Sequence, residues 1–486
     1  MTTSSGAMRP RRSGADRSEL RARVWVLGVW LLCSVAGLAF VASHQRDVPH
    51  RHDFDLIEVQ TGAEALGFQF LWQPVAGHRK PLPKLFHLGL LRATGGDLRV
   101  ASFLSAFTLA GLSLAMLGGA RRLRGYTRVS DAFFPLLLQS WGHHAAYLRG
   151  FHLHVIVSVA LACVAWLAVM GRGWRLGAGR IALLGAVALT LPLLGAWGPF
   201  YALTPILILV GAAVVDLREN GPSERRRAGA CLAVAALAAV GLGAYLYGLP
   251  QMLTFGEGGS FASALTGFVR FFGMSFGAAG QSSWLLPAAL TLLVVTLSLV
   301  LLARSFARGP REAVVLALLG FFGSALLVAV AIALSRGPTS SMAGLAARYS
   351  TPAAAVLCAA YFTLELCTPP RAARVAQAAF FAGVLLLLPA NLEAGLRAGR
   401  AQRAWSLAFE RDALIGLGPG QLGVRHPKLH PGRTACYRAE RLQLLMRSRA
   451  GIFRRVETLP PDDLEVACPD RGREAHQADP PGGSAP

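Results

Sequence analysis

Between His50 and His87 the chain carries its densest set of side chains able to do chemistry. Asp53 and Asp55 are carboxylates two residues apart, preceded by His50 and His52 and followed by Glu58. A carboxylate held at a membrane surface can take the proton from an acceptor hydroxyl, or bind a divalent ion that neutralises phosphate. Acids in a loop can equally be solvated surface groups. Further along stand Trp72-Gln-Pro and His78-Arg79-Lys80-Pro-Leu-Pro-Lys84. Arg79, Lys80 and Lys84 suit a phosphate or pyrophosphate, arginine through its two-pronged guanidinium. A basic loop beside anionic headgroups would look the same. Trp72 can stack on a sugar face or anchor the loop at the interface.

Two more groups stand out. Gln139-Ser-Trp-Gly-His143-His144 is followed by Arg149, His152 and His154. Three or four histidines near one helix turn could hold a metal ion, but the spacing supplies no carboxylate or cysteine partner, and interfacial polar residues explain it as well. Arg348-Tyr349 opens an apolar run. An arginine there can pair with Asp53 or Asp55, hold a lipid phosphate, or snorkel to the interface.

The elements that must position these residues are membrane helices. The chain has 486 residues, 53% apolar and only 15% charged, whereas a soluble chain carries about 25% charged residues. Net charge is +22, but the arginines fall in short clusters between apolar runs. That alternation is the positive-inside pattern, and it explains the charge without a nucleic-acid partner. Counting runs long enough for roughly 30 Å of hydrocarbon predicts eleven spans: 24–43, 100–120, 131–147, 151–170, 181–197, 200–215, 228–249, 284–303, 312–334, 349–366 and 375–392. A cleaved signal peptide competes for the first, whose apolar core is longer than the usual ~7–15 residues. This scheme puts the N-terminus in the cytoplasm and the first loop, 44–99, outside. Residues 1–23 read as a disordered tail. Residues 251–283 read as a Gly- and Phe-rich outer segment. Residues 393–486 read as an outer tail with amphipathic helices at 396–414 and 439–456 and a disordered end. Cys436 and Cys468 are the only cysteines in that tail; an oxidising compartment would favour a bridge between them, whereas a disordered end would keep Cys468 from meeting Cys436, and the two readings stand level. The spans hold almost no charge at mid-depth, which argues against ion-coupled transport.

One span, then an acidic first outer loop, then many spans, resembles the polytopic GT-C class of glycosyltransferases. More narrowly, Asp53-Phe54-Asp55, Trp72-Gln73-Pro74 and His78-Arg79-Lys80-Pro81-Leu82-Pro83-Lys84-Leu85 resemble the first loop of poorly characterised bacterial members of that class. Weaker likeness continues at Gln139-Ser-Trp-Gly-His-His and at Arg348-Tyr349-Ser350. Gly77 stands where those proteins usually carry Glu, and His143-His144 where they carry Glu-Asn.

The resemblance implies an all-α membrane protein of the bacterial inner membrane. Such an enzyme moves a sugar from a polyprenyl-phosphate donor to an envelope lipid or glycan acceptor on the periplasmic side. It implies Asp53 or Asp55 as the base, and His78, Arg79, Lys80, Arg348 and Tyr349 at the lipid phosphate, with Trp72 shaping the sugar site. A divalent metal ion is compatible with this set. The other readings are a degenerate member, suggested by Gly77, and a non-catalytic protein that transports or scaffolds envelope lipids.

Overall fold

The computed structural model describes residues 13–75, 77–171, 173–195, 197–219, 221–249, 260–308, 313–336, 342–456 and 460–469. Among these the chain is helical throughout, and the one strand-like pairing is an isolated bridge from Val75 to His78. The expected all-α membrane architecture is present. Nine helical segments are long and apolar enough to cross a membrane, and two shorter apolar helices accompany them.

In chain order the long elements are α1 (Ser13–His44), the loop helix α2 (Pro81–Ala93), α3 (Val100–Arg124), α4 (Leu153–Ala168), α5 (Ala178–Leu193), α6 (Leu203–Glu219) and α7 (Pro222–Leu246). Then follow α8 (Phe261–Gly273), α9 (Leu285–Ala307), α10 (Ala313–Arg336), α11 (Ser350–Cys367), α12 (Pro370–Leu414), α13 (Pro419–Arg425) and α14 (Ala435–Arg447). Helix α1 begins at Ser13, so residues 13–23, expected to be disordered, extend the first span as helix. The outer segment expected at 251–283 contains α8, where Gly267 lets the backbone approach Ala333 of α10.

One expected span is not a single helix. Residues 129–147 form four short pieces, Val129–Ala132, Phe133–Leu138, Trp141–His143 and His144–Tyr147. The run starts beside the arginine-rich end of α3, where Asp131 pairs with Arg124. It ends at the opposite end of the bundle, where the His143 ring meets Ser350 at the start of α11 (2.9 Å). Every residue of Phe133–Leu138 is buried. Broken helix is tolerated at membrane depth only where protein covers it and the freed carbonyls find partners. Here His143 Nε2 lies 2.8 Å from the Leu137 carbonyl, and the Tyr147 hydroxyl donates to that of Gln139 (2.9 Å). The histidine pair expected at an outer surface is therefore part of the core at His143.

The last span and the first tail helix are one element. Helix α12 has 45 residues, about 68 Å at 1.5 Å per residue, roughly twice the hydrocarbon thickness. Gly395 packs against Trp141 and Gly399 against His44 and Phe40, so α12 rises closely past the end of α1. Beyond that point the first loop and the tail share a core of Val48, Phe54, Ile57, Phe409, Leu442 and Phe453, among others. They form one packed body, not a loop and a separate tail. Arg46 pairs with Glu410 (2.6 Å), and Cys436 is bridged to Cys468 across a Cα separation of 4.9 Å. The Asp463 carboxylate accepts the backbone N–H groups of Gly420 (2.7 Å) and Gln421 (3.1 Å). Residues 470–486 lie outside the described residues.

Candidate functional site

The loop acids sit on a short 3₁₀ helix, Arg51–Leu56, that runs into the α-helical turn Ile57–Thr61. Phe54, Leu56, Ile57 and Val59 are buried and fasten this segment to the body. Side chains three residues apart eclipse on a 3₁₀ helix, so His52 and Asp55 share an edge, with Glu58 continuing it one turn on. Asp53 lies off that edge.

This separates the two carboxylates. Asp53 Oδ2 accepts the His50 backbone N–H (2.9 Å) and caps the turn. Its neighbours are Ile57, Gln60, Leu98 and the 450–453 turn, around a void of only about 10 Å³. Burial pushes its carboxyl up to about 7, against the His50 hydrogen bond that favours the charged form.

Asp55 instead faces a polar cavity of about 360 Å³ between the loop and the tail. His52 Nδ1 lies 2.9 Å from Asp55 Oδ2, and the Tyr437 hydroxyl donates to Oδ1 (3.2 Å). Burial alone would raise this carboxyl, but the hydrogen bond and charge of His52, then the Tyr437 hydrogen bond and the charge of His430, outweigh it and hold Asp55 below the ordinary range. Across the cavity Arg441 pairs with Glu58 (3.0 Å) and lies 3.7 Å over the Tyr437 ring. Lys84 also lines it, its ammonium held by the carbonyls of Phe70 and Gln73.

On the other side of His52 the residues are basic. The His52 ring centroid is 5.2 Å from that of Phe151, and Lys80 Nζ lies 5.1 Å from the same ring. Beyond it Arg51, Arg149 and Arg348 stand within one another's electrostatic field. Burial, reinforced by Arg51 and Arg348, pushes Arg149 down to about 10; burial and Arg348 lower Arg51 as well. Arg348 donates to the Tyr349 hydroxyl (3.0 Å), while the Tyr349 ring is buried against Trp197. Among the described residues none of these three arginines has a carboxylate partner. His50, close by, is held well below its ordinary value by burial and then by Arg149 and Arg51. Partly buried guanidinium groups that repel one another are a costly arrangement unless an anion joins them.

The structure thus sets Asp55 and Lys80 about His52, groups Arg348 with Arg51 and Arg149, and places other expected residues elsewhere. Arg79 donates to the carbonyls of Tyr245 and Tyr247 (both 2.7 Å) at the end of α7 and covers Trp72 at 5.2 Å. Trp72 stacks on the exposed Phe68, on a different part of the loop from the Asp55 cavity. His78 closes the tight turn with Val75. Gly77 in that turn has φ = +81°, a left-handed conformation that favours glycine, so its type here follows from the backbone. Arg348 pairs with neither Asp53 nor Asp55. Tyr437, Arg441, Arg433 and His430 are the site residues that reading the sequence missed, and the four-residue spacing of Tyr437 and Arg441 on an amphipathic helix was their signal. Among the described residues the one cluster of three potential metal ligands is Cys436, Glu440 and Cys468, and its two sulfurs bond each other.

An apolar groove of about 430 Å³ lies next to the basic residues, between α2, α3 and α4. Leu82, Phe86, Leu104 and Val157 line it, with His87 and His154 at its polar end. No family model, curated protein or solved structure matches this chain.

Proposed function

We propose that this protein transfers a sugar from a polyprenyl-phosphate donor to an envelope acceptor at the periplasmic face of the bacterial inner membrane. The reading is carried by one observation: His52 holds an ionised carboxylate, Asp55, on one side and feels Lys80 and Arg51 on the other, and Arg51 belongs to a group with Arg149 and Arg348 that has no carboxylate partner among the described residues. In an inverting transfer the Asp55 carboxylate takes the proton of the acceptor hydroxyl as its oxygen bonds to the anomeric carbon. The bond from that carbon to the phosphate oxygen breaks, and the polyprenyl phosphate leaves with the electron pair. Arg51, Arg149 and Arg348 offset the charge that develops on it. His52 holds Asp55 in place, and the groove beside His154 accommodates the first isoprene units. Asp55 and Glu58 are the carboxylates that would hold a divalent ion in this cavity, where it would supply charge neutralisation at the donor phosphate.

Lipid-linked glycan profiles of cells carrying the wild type, Asp55→Asn or no protein test the reading. Loss of one glycosylated product in both the null and the Asp55→Asn cells is expected, with the variant present in the membrane at normal level. An unchanged profile in the null refutes the reading. The groove and basic cleft also favour a second reading, a carrier of anionic envelope lipids. That reading predicts a lipid precursor displaced between leaflets in the null and no effect of Asp55→Asn.

A further inference from the structure

We infer that Tyr437 is a positioning residue for Asp55, delivered to it by a C-terminal segment that the Cys436–Cys468 bridge ties down. The role of Asp55 as base rests on the proposed function, but the placement of Tyr437 does not. The two oxygens of Asp55 are served from different parts of the chain, Oδ2 by His52 of the first loop and Oδ1 by Tyr437 of α14. Tyr437 is itself fixed. Arg441 covers one part of its ring at 3.7 Å and Arg433 lies at 4.9 Å. The preceding residue, Cys436, is bonded to Cys468, whose segment is held to the start of α13 by Asp463. Arg441 continues the contact by pairing with Glu58 of the loop. The tail therefore forms one wall of the Asp55 cavity and fixes which way the carboxylate points.

A hydroxyl that donates to a carboxylate stabilises its charged form. The charged and titratable groups that face Asp55 across the cavity are His52, Glu58 and Glu64 from the first loop, Lys84 from α2, and His430, Arg433, Tyr437 and Arg441 from the tail, with Asp53 acting from behind the turn. Tyr437→Phe leaves all of them but the phenol, and keeps the ring beneath Arg441.

The test reads Asp55 directly. Full-length protein in nanodiscs is labelled with a water-soluble carbodiimide, which attacks protonated carboxyls, between pH 4 and pH 7, and modification at Asp55 is quantified by peptide mass spectrometry. Tyr437→Phe should move the Asp55 labelling curve upward by about one pH unit, roughly a tenfold higher rate at a fixed pH between. Cys436→Ser/Cys468→Ser should move it the same way. An Asp55 curve in Tyr437→Phe that superimposes on the wild type overturns the inference. So does release of the tail in Tyr437→Phe, seen as loss of protection from trypsin at Arg447 and Arg449, because the phenol would then be a strut for folding. Neither outcome depends on sugar transfer. A shifted curve in a protein without transferase activity would uphold the positioning role and refute the proposed function alone.

Discussion

Replacing Asp53 by asparagine should stabilise the contact between the first loop and the tail at neutral and alkaline pH. The Asp53 carboxyl is enclosed beneath the 450–453 turn and titrates at about 7, where an ordinary aspartate titrates at 3.8. The difference amounts to a preference for the neutral form on the order of 4 kcal/mol, and local opening to water should reduce the measurable part to ~1–3 kcal/mol. The sign follows from proton binding. Between about pH 4 and pH 7 the docked loop keeps a proton that the undocked loop gives up, so docking weakens as pH rises through that window and stays weakened above it. Asparagine cannot ionise, and its carbonyl oxygen can still accept the His50 N–H that Asp53 accepts now. Hydrogen exchange in nanodiscs at pH 5 and pH 8, corrected for intrinsic rates, would read this on peptides covering 47–62 and 445–456. The wild type should exchange more readily at pH 8, and Asp53→Asn should flatten the difference. A variant that keeps the full pH dependence would refute the assignment of that dependence to Asp53.

Arg149→Ala should weaken saturable polyprenyl-phosphate binding, measured by native mass spectrometry, roughly 10- to 150-fold in Kd, because a charge-assisted contact contributes ~1.5–3 kcal/mol. Cys436→Ser opens a bridge that spans 32 residues and should cost the body shared by the first loop and the tail ~3–4 kcal/mol in the chain-entropy account. Earlier trypsin cleavage at Arg454 and Arg455, just before 460–469, would show it, and non-reducing peptide mapping of the wild type should yield the Cys436–Cys468 linked peptide. Gly77→Glu meets no heavy atom within 4 Å of its added Cβ but sits at φ = +81°. It should cost only ~1–2 kcal/mol of local stability, visible as faster exchange across 73–79 with the membrane body unchanged.

The membrane body was legible because lipid-facing helices carry their signal in local composition. The run 100–120 falls within α3 and the run 284–303 enters α9 at its second residue, Leu285, and the arginine clusters fall at their ends. The same criterion failed at 131–147. A buried irregular crossing is as apolar as a lipid-facing helix, and only Pro135 and Gly142 hinted that the helix breaks. The tail failed for a different reason: α14 announces itself as an amphipathic helix, but nothing local says that its partner lies almost 400 residues earlier, at Asp55 and Glu58. The acids themselves show how much depended on the local helix type. Two residues apart, Asp53 and Asp55 would share one face of an extended strand, and so look interchangeable as candidate bases. On a 3₁₀ helix that spacing turns them through about 240°, whereas the three-residue step from His52 to Asp55 returns to the same edge. The spacing that pairs a histidine with a carboxylate therefore also commits the other carboxylate to the buried cap, and the pattern Asp-Phe-Asp, with Phe54 driven into the core between them, specifies one cavity acid and one structural acid.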